Sequence, residues 1–127
     1  MAGGAQSMAY QQVRREIFRD YDAMDNDPII ASALDIYTDE STMKNEFGNV
    51  LTITTDNSKI HDVLHNLFYD VLNVEFNLWP WVRNMCKYGD FFLKLEIHEK
   101  YGITNVITLP VYDVSRFCIL YTSDAAD

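Results

Sequence analysis

The stretch "NLWPWVRNMCKYGDFFLKLEI", residues Asn77–Ile97, changes its apolar period halfway along. Up to Tyr88 the pattern predicts a helix from Asn77, with Pro80 acceptable in a first turn where its missing N–H costs nothing. Gly89 is the expected left-handed stop. Beyond it, Phe91, Leu93, Leu95 and Ile97 alternate with Phe92, Lys94 and Glu96, the period-two signature of a strand with one buried face. Glu99–Gly102 is a short connection into a partner strand from Ile103 to Leu109, which Pro110 ends. The stretch therefore predicts a helix that stops and feeds a β-hairpin.

Working back from it, Asp56-Asn57-Ser58 offers caps for a helix with Ile60, Leu64, Leu67, Phe68 and Val71 on one face. Val50–Thr55 is rich in β-branched residues and reads as a strand. Before the turn at Glu46–Asn49, Asp27 can cap a helix that starts at Pro28 and ends near Thr42, with Ile30, Ala33, Leu34 and Tyr37 as its stripe. A first helix runs from Ser7 with Val13, Ile17, Tyr21 and Met24 on one face, and residues 1–9 read as a flexible start. Arg14, Arg15 and Arg19 lie off that stripe and read as a solvated face. Helices mixed with a short strand and a hairpin, without an internal repeat, define an α+β class.

Composition sets outer limits. The 127 residues suit one domain, and 48% hydrophobic with 23% charged residues is a globular profile. A net charge of −9 disfavours non-specific binding to phosphate backbones. No apolar run is long enough to span a bilayer. Cys86 and Cys118 are the only cysteines, too few for a disulfide framework.

Four groups invite a chemical reading. His61 and His65 stand one turn apart in "HDVLH", as two zinc ligands would, but Asp62 occupies the place of the glutamate base in zinc-protease helices, and no spacing selects Glu75 or His98 as a third ligand. The plainer reading is a pair of boundary histidines. Asp35, Asp39 and Glu40 could form a carboxylate cluster, yet acids on an outer helix face are usually solvated. Cys86, beside Val82 and Met85, reads as a small buried hydrophobe. Phe76, Trp79, Trp81, Tyr88, Phe91 and Phe92 could stack on single-stranded nucleic acid, but core or subunit interface suits an acidic chain better. No residue is nominated as catalytic, cofactor-binding or metal-binding.

"YDAMDNDPIIASALDIYTDE" (21–40), "LFYDVLNVEFNLWPWVRNMCKYGDFFLKLEI" (67–97) and "LPVYDVSR" (109–116) together resemble the portal vertex protein of T4-like, contractile-tailed bacteriophages, in the family's order. The resemblance implies a non-enzymatic subunit of a dodecameric ring at one capsid vertex, the conduit for DNA packaging and ejection. It implies as partners other portal subunits, capsid and scaffold proteins, the terminase large subunit, and neck and tail proteins, with viral DNA passing through without sequence-specific contacts and no cofactor. Residues 10–117 would form part of the outer, wing-like region, with stem and clip beyond residue 116. Residues 118–127, in "CILYTSDAAD", are similar to a translated sequencing adapter and are expected not to be viral. The rival readings are a small zinc hydrolase built on His61 and His65, and an acidic adaptor module.

Overall fold

The computed structural model describes residues 3–114. Helix α1 spans Gly3–Met24, α2 Pro28–Ser41, α3 Ser58–His65 and α4 Val74–Tyr88, and strands β1 (Phe92–His98) and β2 (Gly102–Leu109) form an antiparallel hairpin. This is an α+β arrangement, as the periodicities predict. A π-helical turn, Asn66–Val71, follows α3 directly, closed by a Leu72 N–H to Leu67 C=O bond of 2.9 Å.

The caps are local and legible. The Asp27 carboxylate accepts from the Ile29 N–H at 2.8 Å with Pro28 in the first turn. Gly89 (φ 75°) ends α4, its N–H bonded to the Met85 carbonyl at 2.8 Å. In the hairpin, Phe92 lies opposite Leu109 and Leu95 opposite Val106, and one irregularity between Glu96 and Ile97 leaves Thr104 of β2 without a Cα partner.

Several expectations are corrected. α1 starts at Gly3, ahead of Ser7, because no breaker separates the helix-favouring Ala5, Gln6 and Met8 from the stretch that follows. α4 starts at Val74, not Asn77, which places Pro80 inside the helix. There it forfeits the bond to the Phe76 carbonyl, a loss of roughly 3 kcal/mol in an ordinary helix interior. An anchored first turn offsets it: Asn73 takes left-handed φ 45°, its carbonyl accepts from the N–H groups of Phe76 and Asn77, and the Asn77 side chain donates to the Leu72 carbonyl at 3.0 Å. Val50–Thr55, expected as a strand, joins no ladder and has a bend at Val50. Its first two N–H groups, on Val50 and Leu51, go instead to the Glu75 carboxylate at 2.9 and 3.1 Å, and the Tyr69 hydroxyl donates to the Leu51 carbonyl at 2.6 Å.

Among the described residues the buried apolar side chains are Phe18, Val74 and Val111. The apolar stripe on α1 is not what packs: Val13, Ile17, Tyr21 and Met24 are all exposed, Val13 by 54%. The covered face lies one residue further round and consists of Arg14, Phe18, Asp22 and Asp25, which α4 and the hairpin exit meet. On α2, Thr38 is fully buried with its hydroxyl donating to the Leu34 carbonyl at 2.7 Å, whereas Ile29 and Ile36, on the far side, are 80% and 62% exposed. Tyr37, assigned to the buried stripe by its spacing, is exposed as well. The alternating apolar face of β1 is also uncovered, with Ile97 at 73%.

Candidate functional site

The end of α1 and the end of α4 meet in a polar clamp. Asp22 in the last turn of α1 and Asp25 just past its end lie three apart, and Arg83 and Lys87 lie four apart on α4. Within either pair the like charges repel. Facing each other, they satisfy both. Lys87 Nζ lies 2.7 Å from Asp22 and 2.9 Å from Asp25, while Arg83 Nη2 donates to Asp25 at 2.6 Å and Nε to Asp35 of α2 at 2.5 Å. The hydroxyls of Tyr88 and Tyr112 also donate to Asp22. The clamp thus joins α1, α2, α4 and the residues that leave β2.

Phe18 lies under this layer, edge-on to Tyr88 at 5.5 Å and to Tyr112 at 5.6 Å. Arg14 completes the seam: its guanidinium rests 4.6 Å above the Phe18 ring and donates to the carbonyls of Val111 at 3.2 Å and Val114 at 2.5 Å, with Asp90 at 3.6 Å. The solvated role expected for Arg14 is therefore corrected, because its donors are what hold the chain leaving the hairpin against α1.

The electrostatics follow from these contacts. Partial burial pushes the Asp22 carboxyl up, but hydrogen bonds from Lys87, Tyr112 and Tyr88 outweigh it and bring the pKa down to about 2. Donation to Asp22 pushes Tyr112 up to about 12. Burial opposes the charge on Lys87, yet Asp22 and Asp25 raise its pKa above the ordinary lysine value. Arg83 is the main cause that lowers Asp25. Asp22 stays ionised and Tyr112 stays protonated across the whole neutral range, so neither can trade a proton there. The arrangement is suited to holding helices together.

The residues singled out from sequence fall apart in space. His61 and His65 of α3 and Tyr69 of the π-helical turn form a stacked ladder, with ring centroids 6.0 and 4.4 Å apart, that faces Leu51, Thr52 and Ile53 across an open groove. Of the suggested third ligands, Glu75 holds the Val50 and Leu51 amides, and His98 Nδ1 accepts from the Lys100 N–H at the hairpin tip. Among the described residues no group of three or more His, Cys, Asp or Glu side chains could hold a metal ion. The carboxylate cluster on α2 does not stand in solvent unpaired: Asp35 bonds Arg83, and Asp39 accepts from Trp79 Nε1 at 2.7 Å. The aromatic group divides, with Trp79 on α2's side and Trp81 and Phe91 paired at 6.2 Å by the hairpin root.

Cys86 is exposed, a correction to its expected burial. It lies beside Lys87 at the edge of an open groove lined by Tyr21, Met24, Ile30 and Leu34, which leaves the thiol open to solvent. Iodoacetamide on the folded protein is expected to label Cys86 as completely as on the unfolded chain, read by peptide mapping. Protection in the folded protein would contradict the exposure.

Sequence reasoning missed the clamp. The signal was present, since each like-charged pair at helical spacing calls for a partner of opposite sign. Nothing in the sequence selects Asp22 and Asp25 as the partners of Arg83 and Lys87.

A family model described as "Bacteriophage T4-like portal protein (Gp20)" matches residues 14–124. The chain belongs to this family. The match begins at Arg14, the first residue of the clamp seam, and takes in α2, α3, α4 and both strands. It also extends into the stretch that reads as adapter sequence, which lies outside the described residues. No curated protein and no solved structure matches the chain.

Proposed function

We infer that this chain serves as a structural, non-enzymatic subunit of the portal ring at a capsid vertex. The ring is the conduit for DNA into and out of the head. In this reading its other contacts are the capsid and scaffold proteins during head assembly, the terminase large subunit during packaging, and neck and tail proteins afterwards; DNA crosses the channel without being read. The observation that carries the reading is the portal-family match across every element from α1 to β2. Two features of the molecule support it. Its polar groups are arranged as a clamp between helices, and its large apolar side chains are mostly uncovered, as in a part built to be enclosed by others.

The test is made on virions. Purified particles that encode this chain are expected to yield its peptides by mass spectrometry, and antibody against it is expected to mark one vertex per head in electron micrographs. Heads without the peptide, or label spread over all vertices, would refute the assignment.

A further inference from the structure

The connection between α2 and α3 carries no helix or strand of its own. It is longer than about 12–15 residues, the length above which such connections in compact domains are mostly lids or binding loops. Its ends are fixed, with the Thr42 hydroxyl donating to the Thr38 carbonyl and Asn57 capping α3. Between them, in residues 43–56, no side chain is buried. Two sets of bonds shape this stretch. Inside it, the Asn45 side chain accepts from the N–H groups of Phe47 at 2.9 Å and Asn49 at 3.0 Å and donates to Thr52 Oγ1 at 3.0 Å, while the Asn45 backbone bonds Asn49 and Gly48. To the rest of the molecule, among the described residues, the stretch is hydrogen-bonded at one point. There one Glu75 oxygen takes the Val50 and Leu51 N–H groups at 2.9 and 3.1 Å, the other lies 3.1 Å from the Val50 nitrogen, and the Tyr69 hydroxyl donates to the Leu51 carbonyl at 2.6 Å.

The same stretch is one wall of an open groove of about 450 Å3, which it lines with Phe47, Leu51 and Ile53, and the ladder of His61, His65 and Tyr69 is the other wall. We propose that residues 43–56 form a flap, latched at Val50 and Leu51 by Glu75 with Tyr69 as a second catch, which swings as one piece and so opens and closes this groove. A segment with few covered side chains opens locally, at a free energy set by what anchors it and not by the stability of the whole fold. Here the anchor is a single carboxylate on the first turn of α4 and one hydroxyl on the π-helical turn. The carboxylate is the stronger part, because hydrogen bonds to an ionised acceptor are roughly twice as strong as neutral ones. The Asn45 turn gives the flap its stiffness: its bonds close within the segment and are kept when the anchor lets go. This device does not depend on the portal reading.

Amide hydrogen exchange read by NMR on the full 127-residue chain tests it. In Glu75→Ala the Val50 and Leu51 amides are expected to exchange about tenfold faster than in the wild type, the size of effect that losing charge-assisted bonds gives. The amides of Phe47, Gly48 and Asn49, bonded within the flap, and those of α2 are expected to keep their wild-type rates. Glu75→Gln, which still offers a carbonyl oxygen to the same two amides, is expected to recover part of the loss. Tyr69→Phe removes the second catch without touching α4 and is expected to speed the same two amides by a smaller factor. Opening of the groove is read by nitration with tetranitromethane. In Glu75→Ala, Tyr69 is expected to react several times faster than in the wild type, while Tyr88 and Tyr112, held on Asp22, keep their rates. Unchanged exchange at Val50 and Leu51 in Glu75→Ala and Tyr69→Phe would overturn the latch. Loss of protection at Phe47, Gly48 and Asn49 along with them would show melting in place of a swinging flap, and an unchanged Tyr69 nitration rate would show that release leaves the groove shut; either result overturns the proposal.

Discussion

Phe18→Ala is expected to destabilise the protein by about 3–5 kcal/mol, the usual result of emptying a well-packed aromatic site. The effect is large here because so little else is covered. Phe18 is 4% exposed and touches Tyr88, Tyr112 and the Arg14 guanidinium, so one ring supports α1, α4 and the chain after β2 together. Against total stabilities of about 5–15 kcal/mol for ordinary domains, such a loss leaves α1 undocked in much of the population. Urea unfolding gives the free energy, and hydrogen exchange gives the location. The amides of α1 are expected to lose protection ahead of those in α2 and α4. A loss below 1 kcal/mol, or uniform loosening of all helices, would show that Phe18 is not the support described.

Asp22→Asn is expected to cost about 2 kcal/mol and to remove part of the acid sensitivity of the fold, the rest staying with Asp25, which Arg83 and Lys87 also hold below the ordinary carboxylate range. The variant keeps the shape but presents an amide to three donors, Lys87 and the hydroxyls of Tyr88 and Tyr112, and leaves Lys87 with Asp25 alone. A fully enclosed pair would lose more, but the Asp22 side chain is 41% exposed and water screens part of the effect. The pH dependence has a definite sign. Asp22 is depressed from 3.8 to about 2, so its contribution is present above 3.8 and is lost as the pH falls from there toward 2. Tyr112 is raised from 10.0 to about 12, so its contribution is present below 10 and is lost as the pH climbs toward 12. The wild-type melting temperature is therefore expected to be level between those limits and to fall on either side. In Asp22→Asn the whole curve is expected to lie lower, with the acid fall reduced to the share that Asp25 carries. An unchanged acid fall in the variant would place the acid sensitivity elsewhere.

Local signals held wherever a single turn of chain decides the outcome. The Asp27–Pro28 start of α2, the Gly89 stop of α4 and the hairpin register are each set by residues within a few positions of one another. Val50–Thr55 shows the limit of such signals. Its propensity is that of a strand, but a ladder needs a second edge, and no sequence window contains one. The extent of α4 shows it again: Pro80 marks a helix start by local rules, while Asn73 and the Glu75 contacts to Val50 and Leu51 pull the start back to Val74.

The amino-acid order alone determined the element types, most of their ends, the α+β class and the family to which the chain is similar. Only the tertiary structure decided which face of each helix is covered. Periodicity tells which residues share a face, but a face becomes interior by meeting another, and that depends on positions far away in the chain. On α1 the more apolar stripe stays outside, because Asp22 and Asp25 find Lys87 and Arg83 more than fifty residues away. The clamp was invisible for that same reason.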